Sequence, residues 1–155
     1  GGKVFINEVL ANEAGSDTAG ELVELVNSGG TSVDLSGWTI SDATAVRHVF
    51  AAGTTLGAGR AIVVFAGASA IPGGLTNAIA SSTGSFVFGN SGDTVKLGNP
   101  AGLVDSVTYT STLSGTDGVS MNRSPDGSAT GTFVLHTTLA TAPRSAGTRV
   151  TGAAF

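Results

Sequence analysis

The sequence predicts a single all-β domain folded as a sandwich. Apolar residues occur in short runs that are separated by Gly, Asn, Asp or Pro. Glycine occurs 24 times in 155 residues, and lysine, a good helix former, only at Lys3 and Lys96. Turn residues that punctuate apolar runs every ~8–12 residues are typical of β-sandwiches. The length is sufficient for one hydrophobic core and short for two.

Taken in order, the apolar runs predict the strands and leave one long break. Ala61–Phe65 (AIVVF) is apolar on both faces, which predicts a central strand. The segment Gly67–Gly84 predicts a loop with one helical turn around Leu75–Ala80. We expect a sandwich of about nine strands, drawn from eleven candidate runs: Val4–Leu10, Glu21–Asn27, Thr31–Leu35, Trp38–Ser41, Val46–Phe50, Ala61–Phe65, Ser85–Gly89, Thr94–Gly98, Leu103–Tyr109, Gly118–Arg123 and Thr132–His136.

Alternation within these runs predicts the core. Trp38, the only tryptophan, follows Ser36-Gly37, and a kink there would let Leu35 and Trp38 both point inward. We therefore place Trp38 in the core, with its indole N–H on a backbone carbonyl. The predicted core is Val4, Ile6, Val23, Leu25, Leu35, Trp38, Ile40, Phe50, Ile62, Val64, Phe88, Val95, Leu97, Val104 and Val107.

We expect the domain to span residues 3–150. Residues 1–2 (Gly-Gly) are interpreted as a cloning remnant and residues 151–155 as a tail. No signal peptide is visible in this chain, yet a lysine-poor composition rich in Thr, Ser and Gly fits an exported or cell-surface bacterial domain.

Charge excludes several classes of partner. The formal net charge is −4, and the seven basic residues are scattered along the chain. Phosphate binding needs clustered cations, so we predict no nucleic-acid partner. No apolar run approaches the ~20 residues of a spanning helix, so we predict no membrane insertion. The absence of cysteine excludes disulfides and thiol catalysis. A monomer or a weak oligomer is expected.

The sequence predicts no catalytic residues and no required cofactor. Ser91 lies in a turn without the spacing of a nucleophile elbow, and the two histidines, His48 and His136, stand far apart within predicted strands. Gly57-Ala-Gly59 lacks the third glycine of a dinucleotide fingerprint. An enzyme with its site in the loop Gly67–Gly84 is the least favoured functional hypothesis, because that loop contains no titratable residue.

Acidic residues leave calcium open as an alternative. Glu8, Asp17 and Glu21 fall on or beside early strands, and hard oxygen ligands from a sheet end and a loop suit Ca²⁺. These residues are the predicted metal ligands of a calcium-dependent adhesive or surface module. The other reading is that they are solvated, protect an edge, or pair with arginine.

Several motifs, in order, resemble the lamin tail domain, an immunoglobulin-like module found at the end of nuclear intermediate filaments and in many bacterial proteins. The most specific is VDLSGWTISD (Val33–Asp42), which is similar to the family's Leu-Ser-Gly-Trp-x-Leu. Two stretches depart from the family: the loop Gly67–Gly84, and Ala142–Gly147 in place of a Thr-Pro-Gly-like stop. The other matching motifs are Ile6–Val9, Glu24–Asn27, Leu56–Gly59, Gly92–Leu97, Val104–Val107 and Asp117–Arg123.

The resemblance implies an immunoglobulin-like Greek-key sandwich without a disulfide and without known catalytic residues. It implies protein–protein contact, in bacterial members as an accessory module of a larger exported or cell-surface protein. No coiled-coil heptads precede the domain in this sequence, so we expect no filament role from this chain alone. Because fold alone does not fix function, a non-enzymatic interaction module is an expectation by analogy.

Overall fold

A computed structural model describes residues 3–15 and 19–155. These residues form two packed sheets and an additional two-stranded ribbon. A 3₁₀ turn at Ala68–Ala70, a short helix α1 at Ser111–Ser114 and a 3₁₀ turn at His136–Thr138 are the helical elements of the described residues. The strands are β1 (Val4–Leu10), β2 (Leu22–Asn27), β3 (Val33–Asp34), β4 (Thr39–Ser41), β5 (Val46–Val49), β6 (Thr55–Leu56), β7 (Ala61–Phe65), β8 (Ala78–Ala80), β9 (Gly92–Asn99), β10 (Gly102–Thr110), β11 (Met121–Ser124) and β12 (Thr132–Leu135).

The larger sheet has six strands in the order β12-β11-β1-β2-β7-β8, and the smaller has four in the order β10-β9-β4-β5. All pairs are antiparallel except β7 with β8. One apolar cluster contains Val9 and Val23 of the larger sheet together with Ile40 and Leu97 of the smaller. The predicted all-β, immunoglobulin-like sandwich is therefore confirmed.

Most predicted strands are present, and two begin and end where the sequence places them. These are β1 and β7, and β7 lies between β2 and β8 with every residue buried. The chain forms more strand segments than the nine expected because the ribbon β3–β6 and the short β8 count separately. β8 replaces the helical turn that we predicted around Leu75–Ala80, since this stretch pairs in parallel with β7.

The predicted strand Ser85–Gly89 is wrong. Val87 adopts a φ of 56°, in the left-handed region that a β-branched residue rarely occupies. This turn buries both flanking rings, Phe86 and Phe88, which stack with centroids 4.8 Å apart, and leaves Val87 57% exposed. The apolar pattern of this segment is typical of a strand. Here it reflects the burial of the two phenylalanine rings, and the segment forms no strand.

The predicted core is largely correct. All its members are buried except Trp38 and Val104, which are partly buried and pack against the main cluster. Gly37 has a φ of 76°, and the Trp38 N–H donates to the Leu35 carbonyl (2.9 Å), so the predicted kink is a tight turn. Within the described residues the indole N–H has no hydrogen-bond partner, contrary to our expectation.

A buried arginine joins the two sheets. Arg123 of β11 forms an ion pair with Asp105 of β10 (Nη2–Oδ2 2.8 Å). Its Nε donates to the Ile6 carbonyl (2.7 Å) and its Nη1 to the Gly131 carbonyl (2.8 Å). The guanidinium also lies 4.8 Å from the centroid of the Phe133 ring. The ion pair and the hydrogen bonds to backbone carbonyls offset the cost of burying the positive charge of Arg123 between the sheets.

The outer face of the larger sheet is covered by residues 136–155, which we call the C-terminal segment. Ala146 packs against an apolar cluster that includes Leu10 and Leu22, whereas Phe155, in the stretch expected to be a tail, packs against another cluster that includes Phe5. This cover explains why every residue of β2 is buried although the strand contains Glu24 and Asn27.

Candidate functional site

Two facing glutamates lie beneath the C-terminal segment. Glu8 of β1 and Glu24 of β2 are register partners, and both are fully buried. Glu8 Oε2 accepts hydrogen bonds from Ser120 Oγ (2.6 Å) and the Ser145 N–H (3.0 Å). Glu24 accepts from Asn7 Nδ2 (2.8 Å) and the Gly147 N–H (2.9 Å). The carboxylates thus hold the C-terminal segment on the sheet.

A third acid extends this network. Asp126 accepts from Asn7 Nδ2 (2.9 Å), Asn122 Nδ2 (3.0 Å) and the Val150 N–H (2.8 Å). A bulge in β1 between Ile6 and Glu8 allows the consecutive residues Asn7 and Glu8 to contribute to the same network. Backbone N–H groups from three points of the C-terminal segment therefore end on Glu8 and Glu24 of the sheet and on Asp126 of the turn between β11 and β12.

Burial raises the pKa of both glutamates. Desolvation is the main cause for Glu8, and hydrogen bonds from Ser120 and Ser145 oppose it. For Glu24, desolvation is again the main cause, and the charge of Glu8 raises the pKa further. Since no lysine or arginine pairs with either carboxylate among the described residues, this arrangement favours a protonated member of the pair.

A serine and a histidine also meet in this network. His136 Nε2 lies 2.8 Å from Ser145 Oγ, and His136 Nδ1 lies 2.7 Å from the Ala142 carbonyl. Ser145 Oγ is also 3.3 Å from Glu8 Oε1. Because His136 is fully buried, and both ring nitrogens and the Ser145 hydroxyl are in hydrogen bonds within the fold, we interpret the pair as structural.

The predicted calcium ligands lie in different environments. Glu8 belongs to the network above, whereas Glu21 Oε1 accepts from the Phe88 N–H (3.1 Å) on the other side of β2. Burial raises the pKa of Glu21 to about 7. Asp17 lies outside the described residues. No cluster of three potential ligands occurs within residues 3–15 and 19–155, and a site that includes Asp17 stays a prediction.

The remaining histidine supports the fold. His48 is buried, its Nδ1 accepts from the Ser82 N–H (3.0 Å), and its ring meets Phe50 edge-on at 4.4 Å. Burial lowers the pKa of His48 to about 4, so the ring is neutral at pH 7.

An open cleft lies beside Trp38 at one end of the sandwich. Its volume is about 460 Å³, within the range of ligand sites. Val33, Trp38 and Val104 supply an apolar wall, and Lys3 and Asn99 supply polar groups. The cleft borders both sheets because Lys3 precedes β1 whereas Asn99 and Val104 belong to β9 and β10.

The sequence analysis did not predict this cleft or the hydrogen-bond network around Glu8, Glu24 and Asp126. Glu8 and Glu24 are the charged residues of two mostly apolar strands, and their presence there was the available signal for the network. The cleft had a weaker signal, the Ser36-Gly37 turn before a lone tryptophan, because its polar members are far from Trp38 in the sequence.

Exposed apolar side chains are few among the described residues. The large ones are Val46 and Val49 on β5, Val87, and Leu103 on β10, which is 67% exposed. No helix of the described part of the chain is long and apolar enough to cross a membrane.

Comparison with protein families identifies the domain. The lamin tail domain profile matches residues 1–111, which include β1 to β10. A comparison with curated proteins found no match for this chain. The motifs Ile6–Val9 and Val33–Asp42 lie inside the matched region, whereas Asp117–Arg123 follows it. Both the matched length and the sandwich described above lead to one assignment: the chain belongs to the lamin tail domain family.

Proposed function

We propose that the chain is a non-enzymatic protein-interaction module that forms part of a larger exported or cell-surface bacterial protein. Membership of the lamin tail domain family carries this proposal, because that family is a protein-interaction module with an immunoglobulin-like fold. Its binding surface is expected among loops and sheet ends, where such sandwiches place variable residues.

The arrangement of the titratable groups supports a binding role. Glu8, Glu24 and His136 are fully buried and hydrogen-bonded to the fold. In contrast, the cleft beside Trp38 is open and borders both sheets. Buried, satisfied groups stabilise a scaffold, and an open cleft with a few polar groups is suited to recognition.

The test is a selection of randomised peptides, displayed on phage, on the folded domain. We expect enriched peptides that share a sequence pattern and bind saturably and reversibly. Mass spectrometry should recover them intact after incubation. Failure to enrich any shared pattern would contradict an interaction role.

Catalysis is tested on the same samples. Ser145 and His136 are the pair best placed to carry a hydrolase, so Ser145→Ala is the decisive variant. Turnover of peptides or ester substrates by the wild type, and its loss in Ser145→Ala with unchanged folding, would overturn the non-enzymatic assignment.

A further inference from the structure

The cleft beside Trp38 has a fixed frame. The Lys3 N–H donates to Asn27 Oδ1 (3.0 Å), and the Lys3 carbonyl accepts from the Ser28 N–H (2.9 Å). The Trp38 carbonyl accepts from the Phe50 N–H (2.9 Å). Because the backbone is held on both sides of the cleft, a ligand would not need to order it, which lowers the entropy cost of binding.

The carboxylate and amide oxygens of the cleft are already occupied. Asp105 Oδ2 accepts from the Ile6 N–H and from Arg123, both at 2.8 Å, and its Oδ1 accepts from the Ser106 N–H at 2.9 Å. Asn99 Oδ1 accepts from the Ala101 N–H at 2.9 Å. Asp105 therefore offers little to a ligand that donates hydrogen bonds.

The side-chain donors of the cleft, in contrast, remain available. Within the described residues, the Lys3 ammonium has no ion-pair partner. The Trp38 indole N–H and the Asn99 amide N–H₂ likewise make no hydrogen bond there. All three are pure donors. With Asp105 neutralised by Arg123, Lys3 gives the cleft a local positive charge on a chain of net charge −4.

We propose that this cleft binds a segment of a partner protein in which a large apolar side chain lies next to an aspartate or glutamate. The apolar side chain packs on Val33, Trp38 and Val104, and the carboxylate accepts from Lys3 and Asn99. This inference rests on the proposed interaction function and specifies its site and the chemistry of its partner. Charge complementarity determines the choice, since free donors beside an apolar wall match an anionic acceptor on an apolar body.

Two dipeptide probes test the proposal: acetyl-Phe-Asp-amide and acetyl-Phe-Asn-amide, which differ only in the carboxylate. Trp38 is the only tryptophan, so its emission reports on this cleft alone. We expect the acidic probe to shift the emission saturably and to bind about tenfold more tightly than the amide probe, the effect of one charge-assisted contact.

The chain supplies a matched pair of lysine variants. Lys3→Gln should reduce the affinity for the acidic probe to that of the amide probe. Lys96→Gln, which removes the only other lysine from an exposed position on β9, should leave both affinities unchanged. Val104→Asp should abolish binding of both probes, because it puts a charged, hydrated group into the apolar wall on which the phenylalanine of each probe packs.

Several results would overturn the proposal. One is equal affinity of the wild type for the two probes, or no change in Trp38 emission at millimolar probe. Another is a Lys3→Gln variant that binds the acidic probe as tightly as the wild type does, or a Lys96→Gln variant that loses as much affinity as Lys3→Gln. Acetate that binds as tightly as the acidic probe would also overturn it, since the apolar side chain would then contribute nothing. If phage-selected peptides still bind Lys3→Gln with unchanged affinity, the interaction function stands and the assignment of this cleft fails.

Discussion

Replacing Arg123 with methionine should destabilise the domain by about 3–5 kcal/mol. The arginine side chain is 9% exposed, and the substitution removes the ion pair to Asp105 together with hydrogen bonds to the Ile6 and Gly131 carbonyls. It leaves Asp105 as a poorly compensated carboxylate between the sheets. Removal of one partner from a buried ion pair typically costs about this amount. Urea unfolding monitored by circular dichroism measures the loss as a lower midpoint with an unchanged slope.

Two further variants separate charge from geometry. Arg123→Lys keeps the charge and loses the planar fork, so it should restore less than half of the lost stability. Asp105→Asn combined with Arg123→Met should be less destabilising than the sum of the single changes, because the methionine no longer faces a charge. A loss below about 1 kcal/mol for Arg123→Met, or strict additivity in the double variant, would refute this account of how the sheets are joined.

Three other predictions follow from the same structure. Burial raises the pKa of Glu21 to about 7, so between pH 4.5 and 7 the folded state keeps a proton that the unfolded state releases. The free energy of unfolding should therefore fall by up to about 3 kcal/mol as the pH rises through this range. Glu21→Gln should make this pH dependence shallower in thermal unfolding experiments. Val87→Asn should raise the free energy of unfolding by about 0.5–1 kcal/mol because asparagine tolerates the left-handed region, whereas Val87→Thr, also β-branched, should show no gain. If Glu8, Asp17 and Glu21 hold Ca²⁺, millimolar Ca²⁺ must raise the melting temperature and EDTA must reverse the rise, and calorimetry without heat or shift would remove the calcium alternative.

The sequence was sufficient for the strands that are mostly apolar and buried on both faces. β1 and β7 could be predicted to the residue because each is a compact, mostly apolar run that follows a basic residue and ends shortly before Asn12 or Gly67. Ser85–Gly89 was misread because alternation records only that Phe86 and Phe88 are buried. A left-handed residue between them buries both rings as effectively as a strand does, and no local pattern distinguishes the two.

The candidate cleft was harder to predict for a different reason. Trp38, Lys3 and Asn99 are brought together by the stacking of the two sheets, which depends on strand order. The sequence identified Trp38 as notable and placed it in the core, since hydrophobicity alone does not indicate that a large ring will be only partly covered. The same limit applies to Glu8 and Glu24, whose pairing requires the register of β1 against β2.

The residues after the family match are integral to the fold described here. The match ends at residue 111, yet β1 pairs with β11 on one side, and β11 pairs with β12. Without these later strands, β1 would be an unprotected edge, and the Arg123 ion pair to Asp105 would be lost. Without the C-terminal segment, Glu8 and Glu24 would face water, where two adjacent carboxylates ionise more readily. A fragment that stops at residue 111 should therefore fail to fold cooperatively, and urea unfolding of that fragment can show this.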